Sequence, residues 1–168
     1  MRLLIALTAI AATLTGTALA ASPKPVGTYQ DWNVYTVDDT NGLLCYAASQ
    51  PKKEDGNWTR RGARAVIVAK LPGAEPNEQV SVQPGYAFKN GSDAQVTVDG
   101  RQFRMFTKGE HAWTNSPKDD ETLIGAMKAG ATMTVRGTST RDTWSLDTYS
   151  LSGFTAAYNA MRDACRRS

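Results

Sequence analysis

Histidine is the residue most often needed for acid–base or metal chemistry, and this chain has one, His111. It follows Glu110, but no second histidine stands one helical turn away, so the two-histidine zinc pattern of metallopeptidases is missing. Ser116, Ser139 and Ser150 lie in no Gly-x-Ser-x-Gly context, which removes the tight turn that exposes a serine nucleophile. A cysteine–histidine pair would need a reduced thiol, and an exported chain would hold Cys45 and Cys165 oxidised. No glycine-rich phosphate loop is present. The run Asp119-Asp120-Glu121 has the charge to hold a cation, yet acidic residues in the first turn of a helix account for it more simply. One acid–base arrangement remains open, a small hydrolase using Asp119 with Asp147 as its carboxylate pair. The pattern therefore favours a protein that is not an enzyme, and no catalytic, cofactor-binding or metal-ligating residue is assigned.

The aromatic residues offer contact chemistry instead. Of four tryptophans, Trp32 and Trp144 sit in strand-like runs and are expected in the core. Trp58 lies between Asn57 and Thr59 in a polar stretch, and Trp113 follows His111-Ala112 near a loop. Both are candidate anchors for a protein or glycan partner, because a large amphipathic ring carries much of the energy of a recognition surface. The pairs Lys52-Lys53, Arg60-Arg61 and Arg166-Arg167 read as solvated loops or tails. The chain carries a net charge of +3 with both signs interspersed, and no basic stripe interleaved with aromatics exists. Nucleic acid is not an expected partner.

These residues must be positioned by a chain whose start carries its own signal. Arg2 is followed by an apolar run from Leu3 to Leu14, then by Ala18-Leu19-Ala20, the small-x-small pattern of a secretory cleavage site. Residues 1–20 are expected to be removed, leaving residues 21–168 as one soluble domain without a cysteine for lipid attachment. The apolar run falls short of the ~20 residues that span a bilayer. In an oxidising compartment an even cysteine count suggests a Cys45–Cys165 bridge, with two buried free thiols as the alternative. Closing so long a loop adds up to about 4–5 kcal/mol in the chain-entropy account.

Most of the remaining sequence reads as short strands: residues 32–37, 43–49, 63–71, 79–83, 95–98, 101–106, 131–138 and 143–151. Asp99-Gly100 supplies the positive φ angles of a two-residue type I′ turn, so 95–106 is expected to be a hairpin. Residues 51–62 are polar and charged and read as a loop. In the final strand Trp144 and Leu146 share one face while Tyr149 and Leu151 share the other, so both faces are covered or a bulge shifts the register. A short helix follows Pro117 and stops at Gly130. A second helix, from Phe154 to Cys165, carries Phe154, Ala157, Tyr158, Met161 and Cys165 on one stripe. The bridge would then pin this C-terminal helix to the strand around Cys45. Such a mainly β chain is expected to form a β-sandwich, with a partly open barrel as the alternative.

Several segments together resemble the invasion-associated locus B family of exported alphaproteobacterial proteins. They are Tyr29-Gln30-Asp31-Trp32-Asn33-Val34, Cys45-Tyr46-Ala47-Ala48-Ser49-Gln50-Pro51, Gly85-Tyr86-Ala87-Phe88 and Phe103-Arg104-Met105-Phe106-Thr107. Ala112-Trp113, Ala126-Met127-Lys128-Ala129-Gly130 and the block from Gly137 to Ala157 extend the likeness over nearly all of residues 21–168. Some members have a further cysteine after the opening tryptophan strand, where this chain has Tyr35-Thr36-Val37-Asp38, so a second disulfide is not expected. The resemblance implies an immunoglobulin-like β-sandwich in the periplasm or outer envelope, with no known catalytic site and no cofactor. The family's name links it to invasion of host cells, so the implied partner is an unidentified envelope or host protein. A periplasmic stress or assembly factor is the alternative role. No residue pattern specifies an oligomeric state.

Overall fold

A computed structural model of the protein describes residues 22–166 apart from 74 and 77. The expected secretory segment, residues 1–20, lies outside the described residues. Among the described residues, eleven strands and two helices follow one another. The strands are β1 (Lys24–Tyr29), β2 (Trp32–Asp39), β3 (Gly42–Ser49), β4 (Lys53–Gly56), β5 (Ala65–Lys70), β6 (Glu78–Gln83), β7 (Asp93–Val98), β8 (Arg101–Lys108), β9 (His111–Trp113), β10 (Thr132–Thr138) and β11 (Trp144–Ser150). The helices are α1 (Pro117–Ala129), between β9 and β10, and α2 (Phe154–Arg166) at the end.

Every strand pairs antiparallel in the order β1-β2-β3-β5-β6-β9-β8-β7-β10-β11-β4. The three-residue strand β9 joins the two halves, pairing Ser81 and Val82 of β6 on one side and Phe106 to Lys108 of β8 on the other. The halves then meet again: the Trp32 indole N–H donates to the Ser150 carbonyl at 3.0 Å, and the Asp31 amide to that of Ser152 at 3.3 Å. The sheet thus folds back on itself in the manner of a sandwich. Alternate residues of both halves, among them Val34, Ala47, Val66, Val80, Val96, Met105, Met133 and Tyr149, fill one core with the helices.

The local signals explain most elements. Asp99 and Gly100 have φ of 43° and 89°, so the expected hairpin forms between β7 and β8. Ser116 caps α1: its Oγ accepts the Asp119 amide and donates to Oδ2 of the same residue at 2.8 Å, with Pro117 in the first turn. The stripe of α2 is buried at Phe154, Ala157, Tyr158 and Met161, against β1, β2, β3 and β5. Cys45 is fully buried and bridged to Cys165, with the two Cα atoms 5.9 Å apart. That separation lies inside the range a disulfide spans without moving the backbone.

Three stretches differ from the sequence reading, one of them β9, where Trp113 lies in a strand. Residues 51–62 contain strand β4, whose Lys53, Glu54, Asp55 and Gly56 pair with Thr148 to Ser145 of β11. An edge strand is open to water along one side, so charged residues can serve there. Residues 24–29, opposite β2, form the other edge, with an irregularity between Pro25 and Gly27. Strand β11 runs in unbroken register with β10, so no bulge is needed. Its inward residues are Ser145, Asp147 and Tyr149, while Trp144 and Leu146 are half-buried on the other face.

Candidate functional site

The most unusual side chain is Arg61, a cation only 1% exposed. Taking a guanidinium out of water is costly unless its donors are matched, and here they are. Nη1 donates to Asp147 Oδ1 at 2.6 Å, Nη2 contacts Asp147 Oδ2, and Nε donates to the Pro84 carbonyl at 2.9 Å. Asp147 is likewise 1% exposed, and Glu54 Oε2 lies 3.6 Å from Nη1. Burial works against the Arg61 charge, but the hydrogen bonds and charge of Asp147 outweigh it and hold the proton more tightly than usual. Both carboxylate oxygens of Asp147 are therefore engaged.

Aromatic rings enclose this pair. The guanidinium carbon sits 5.1 Å from the Trp58 ring centre and 5.5 Å from that of Tyr86. Tyr86 Oη shares a 2.8 Å hydrogen bond with Ser145 Oγ, and burial pushes the Tyr86 phenol up. Gly56 is required here, because a Cβ would come within 2.6 Å of Trp58 Cδ1 and 2.3 Å of the Trp144 carbonyl oxygen. Trp58 is thus half-buried, with its indole nitrogen shielded from water and unpartnered among the described residues. It does not stand free of the surface as a polar-loop tryptophan would. Its remaining surface lines a cavity of about 280 Å³ together with Tyr86 and the turn between β10 and β11.

Trp113 is placed differently. Its neighbour Ala112 points into the core, so Trp113 lies on the outer face of β9. Register sets it beside Ser81 on β6 and Phe106 on β8. The rings of Phe106 and His111 lie 5.6 Å and 5.5 Å from it, the latter stacked at 22°. Phe106 is 40% exposed, one of two large apolar side chains so open among the described residues. A shallow hollow of about 250 Å³ adjoins the row, lined also by Leu71, Pro76 and Pro117. The hollows at Trp58 and Trp113 share no lining residue, so the two candidate anchors belong to separate surfaces.

The carboxylate pair of the hydrolase alternative is not assembled. Asp119 is exposed at the start of α1, which packs on β6 and α2, whereas Asp147 is sealed on β11 against Arg61. Between them in character is Asp120, 6% exposed, whose Oδ1 accepts the Val80 amide at 2.7 Å. Burial raises its pKa above the ordinary carboxylate value, against the lowering by that amide and the Thr114 hydroxyl. Val80 pairs with Val68 of β5, but the short β9 does not reach it on the other side, and Asp120 supplies the missing acceptor there. Among the described residues no group of three His, Cys, Asp or Glu is arranged to hold a metal ion. No described helix is long and apolar enough to cross a membrane.

Sequence reasoning missed Arg61 and Asp147 as partners. A signal did exist, because Asp147 stands in phase with Tyr149 and Leu151 and so on their inward face. Its partner lies 86 residues away in a polar stretch that carries no such periodicity.

A family profile for the invasion associated locus B (IalB) protein matches residues 32–162. The chain belongs to this family. Among solved structures, the crystal structure of invasion associated protein B from Bartonella henselae superposes with a TM-score of 0.57 at 16% identity. The match covers 84% of this chain and 98% of that one, and at this identity it shows a shared fold. No curated protein matches the sequence. The matched span of the IalB domain includes Cys45, both tryptophan surfaces and the buried ion pair, while Cys165 falls just after it.

Proposed function

We propose that this IalB protein is exported to the periplasm or outer envelope and works there by binding a protein or surface component, without catalysis. The observation that carries the reading is the outward row Phe106–Trp113–His111, an aromatic surface on paired strands rather than on a mobile loop. An exposed Phe106 packed against the half-buried rings of Trp113 and His111 has the composition of a recognition hot spot. A bridge between Cys45 and Cys165 suits an oxidising compartment and supports export. The Bartonella henselae protein of the same fold is named for an association with invasion. The partner is an envelope component or a host protein.

A photoreactive residue in place of Phe106, in protein expressed from its full chain, tests the reading in the envelope fraction. One dominant adduct is expected, absent when the same group replaces exposed Thr155 on α2. No adduct, or equal adducts from both positions, would overturn it.

A further inference from the structure

The cavity beside Trp58 forms where three backbone segments are tied together. Gly62 N donates to the Gly85 carbonyl at 2.7 Å, Thr140 N to that of Ala87 at 3.0 Å, and Lys89 N to that of Thr138 at 2.9 Å. The β10–β11 turn is closed by Ser139 N on the Thr143 carbonyl at 2.8 Å and by Arg141 N on Ser139 Oγ at 3.1 Å. With Arg61 locked beneath, the walls are preformed and need no ordering when a ligand enters.

The lining is selective in character. It contains Arg60 and Arg141 and no carboxylate. Neither guanidinium has a side-chain partner among the described residues, and the adjacent acid, Asp142, is taken by Lys89 at 2.5 Å. Thr59 and Thr140 add hydroxyls without a side-chain hydrogen bond among the described residues, and Trp58 and Tyr86 add ring surface. We infer that this cavity binds a sugar ring carrying an anionic group, with Arg60 and Arg141 on the anion, the threonine hydroxyls on the ring hydroxyls and the aromatic rings against its C–H surface. A bare oxyanion would leave the rings unused, and an apolar ligand would leave two cations and two hydroxyls facing it unsatisfied. The volume of about 280 Å³ is at the small end for ligand pockets and suits one ring. This surface is separate from the aromatic row at Trp113, so its fate is independent of the partner reading.

The test is an amide and indole NMR titration of the oxidised protein with glucuronate, glucose and inorganic phosphate. Glucuronate is expected to give saturable shifts at the Trp58 indole and at Thr140 and Arg141. Glucose should bind about tenfold more weakly, the factor expected when charge-assisted hydrogen bonds are lost. Arg60→Gln with Arg141→Gln, both exposed and outside the core, should reduce glucuronate binding to the glucose level with unfolding unchanged. A galacturonate trimer that binds more tightly than galacturonate itself would place the ring within a chain, and equal binding would assign a single ring; either supports the site. No saturable shift, equal binding of glucose, or phosphate binding as tight as glucuronate would overturn it.

Discussion

Arg61 and Asp147 decide how the polar segment after β4 is held to the sheet. Each is 1% exposed, so each depends on the other for its charge. Replacing Arg61 with Met leaves a carboxylate buried and unpaired, a change that costs about 3–5 kcal/mol. Chemical denaturation should show that loss, and adding Asp147→Leu should restore most of it. A single variant within about 1 kcal/mol of the parent would mean that water reaches the site. Asp120 makes a second residue-scale test. Its folded pKa lies above that of the unfolded chain, so the folded state keeps a proton the unfolded state has released. Stability from this group is fullest at the acid end and declines as pH rises through the folded pKa. Asp120→Asn keeps an oxygen for the Val80 amide and removes the buried charge. The variant should match or exceed the parent at neutral pH, with a flatter stability profile just above the ordinary carboxylate range. A steeper acid-side profile would contradict this.

At the scale of elements, the bridge fastens α2 to β3 across 120 residues. Replacing both cysteines with Ala should lower stability by up to about 4–5 kcal/mol. Amides of α2 should exchange faster than those of β7 and β8, because the stripe through Met161 is then the main contact left to hold the helix. Uniform exchange would show that packing alone fixes it. The apolar stripe of α2, the Asp99-Gly100 turn and the cysteine pairing were legible in the sequence because each follows from local periodicity, φ preference or count. Strand β4 was not, since Lys53 to Gly56 have no apolar alternation and owe their pairing to the open side of β11. The half-burial of Trp58 was hidden for a similar reason. It depends on Arg61, on Asp147 86 residues from Arg61, and on the absence of a side chain at Gly56. Trp113 was recognised as a candidate, but its row with Phe106 and His111 needed the register of β8 and β9.

At the scale of the molecule, a sheet folded on itself and closed by a helix presents two distinct surfaces on one rigid frame. Burial of two phenols in the core has a spectroscopic consequence at high pH. Burial, then the hydrogen bond to Glu78 at 2.6 Å, pushes the Tyr158 phenol up to about 12. Burial and the nearby Asp147 charge raise Tyr149 as well. Each phenol keeps its proton in the fold after the unfolded chain would lose it, so stability falls as pH rises from the ordinary tyrosine value through the folded one. Tyrosinate absorbance should therefore lag behind that of the unfolded chain and rise together with unfolding; superposable curves would contradict the buried placement. Binding through the aromatic row is the role proposed for this IalB protein. Its most direct test is the affinity of the envelope component captured at that row, measured for the oxidised parent and for Trp113→Ala with its fold verified. A loss of about thirtyfold or more is expected, the scale of a binding hot spot. An affinity unchanged within about twofold would contradict it.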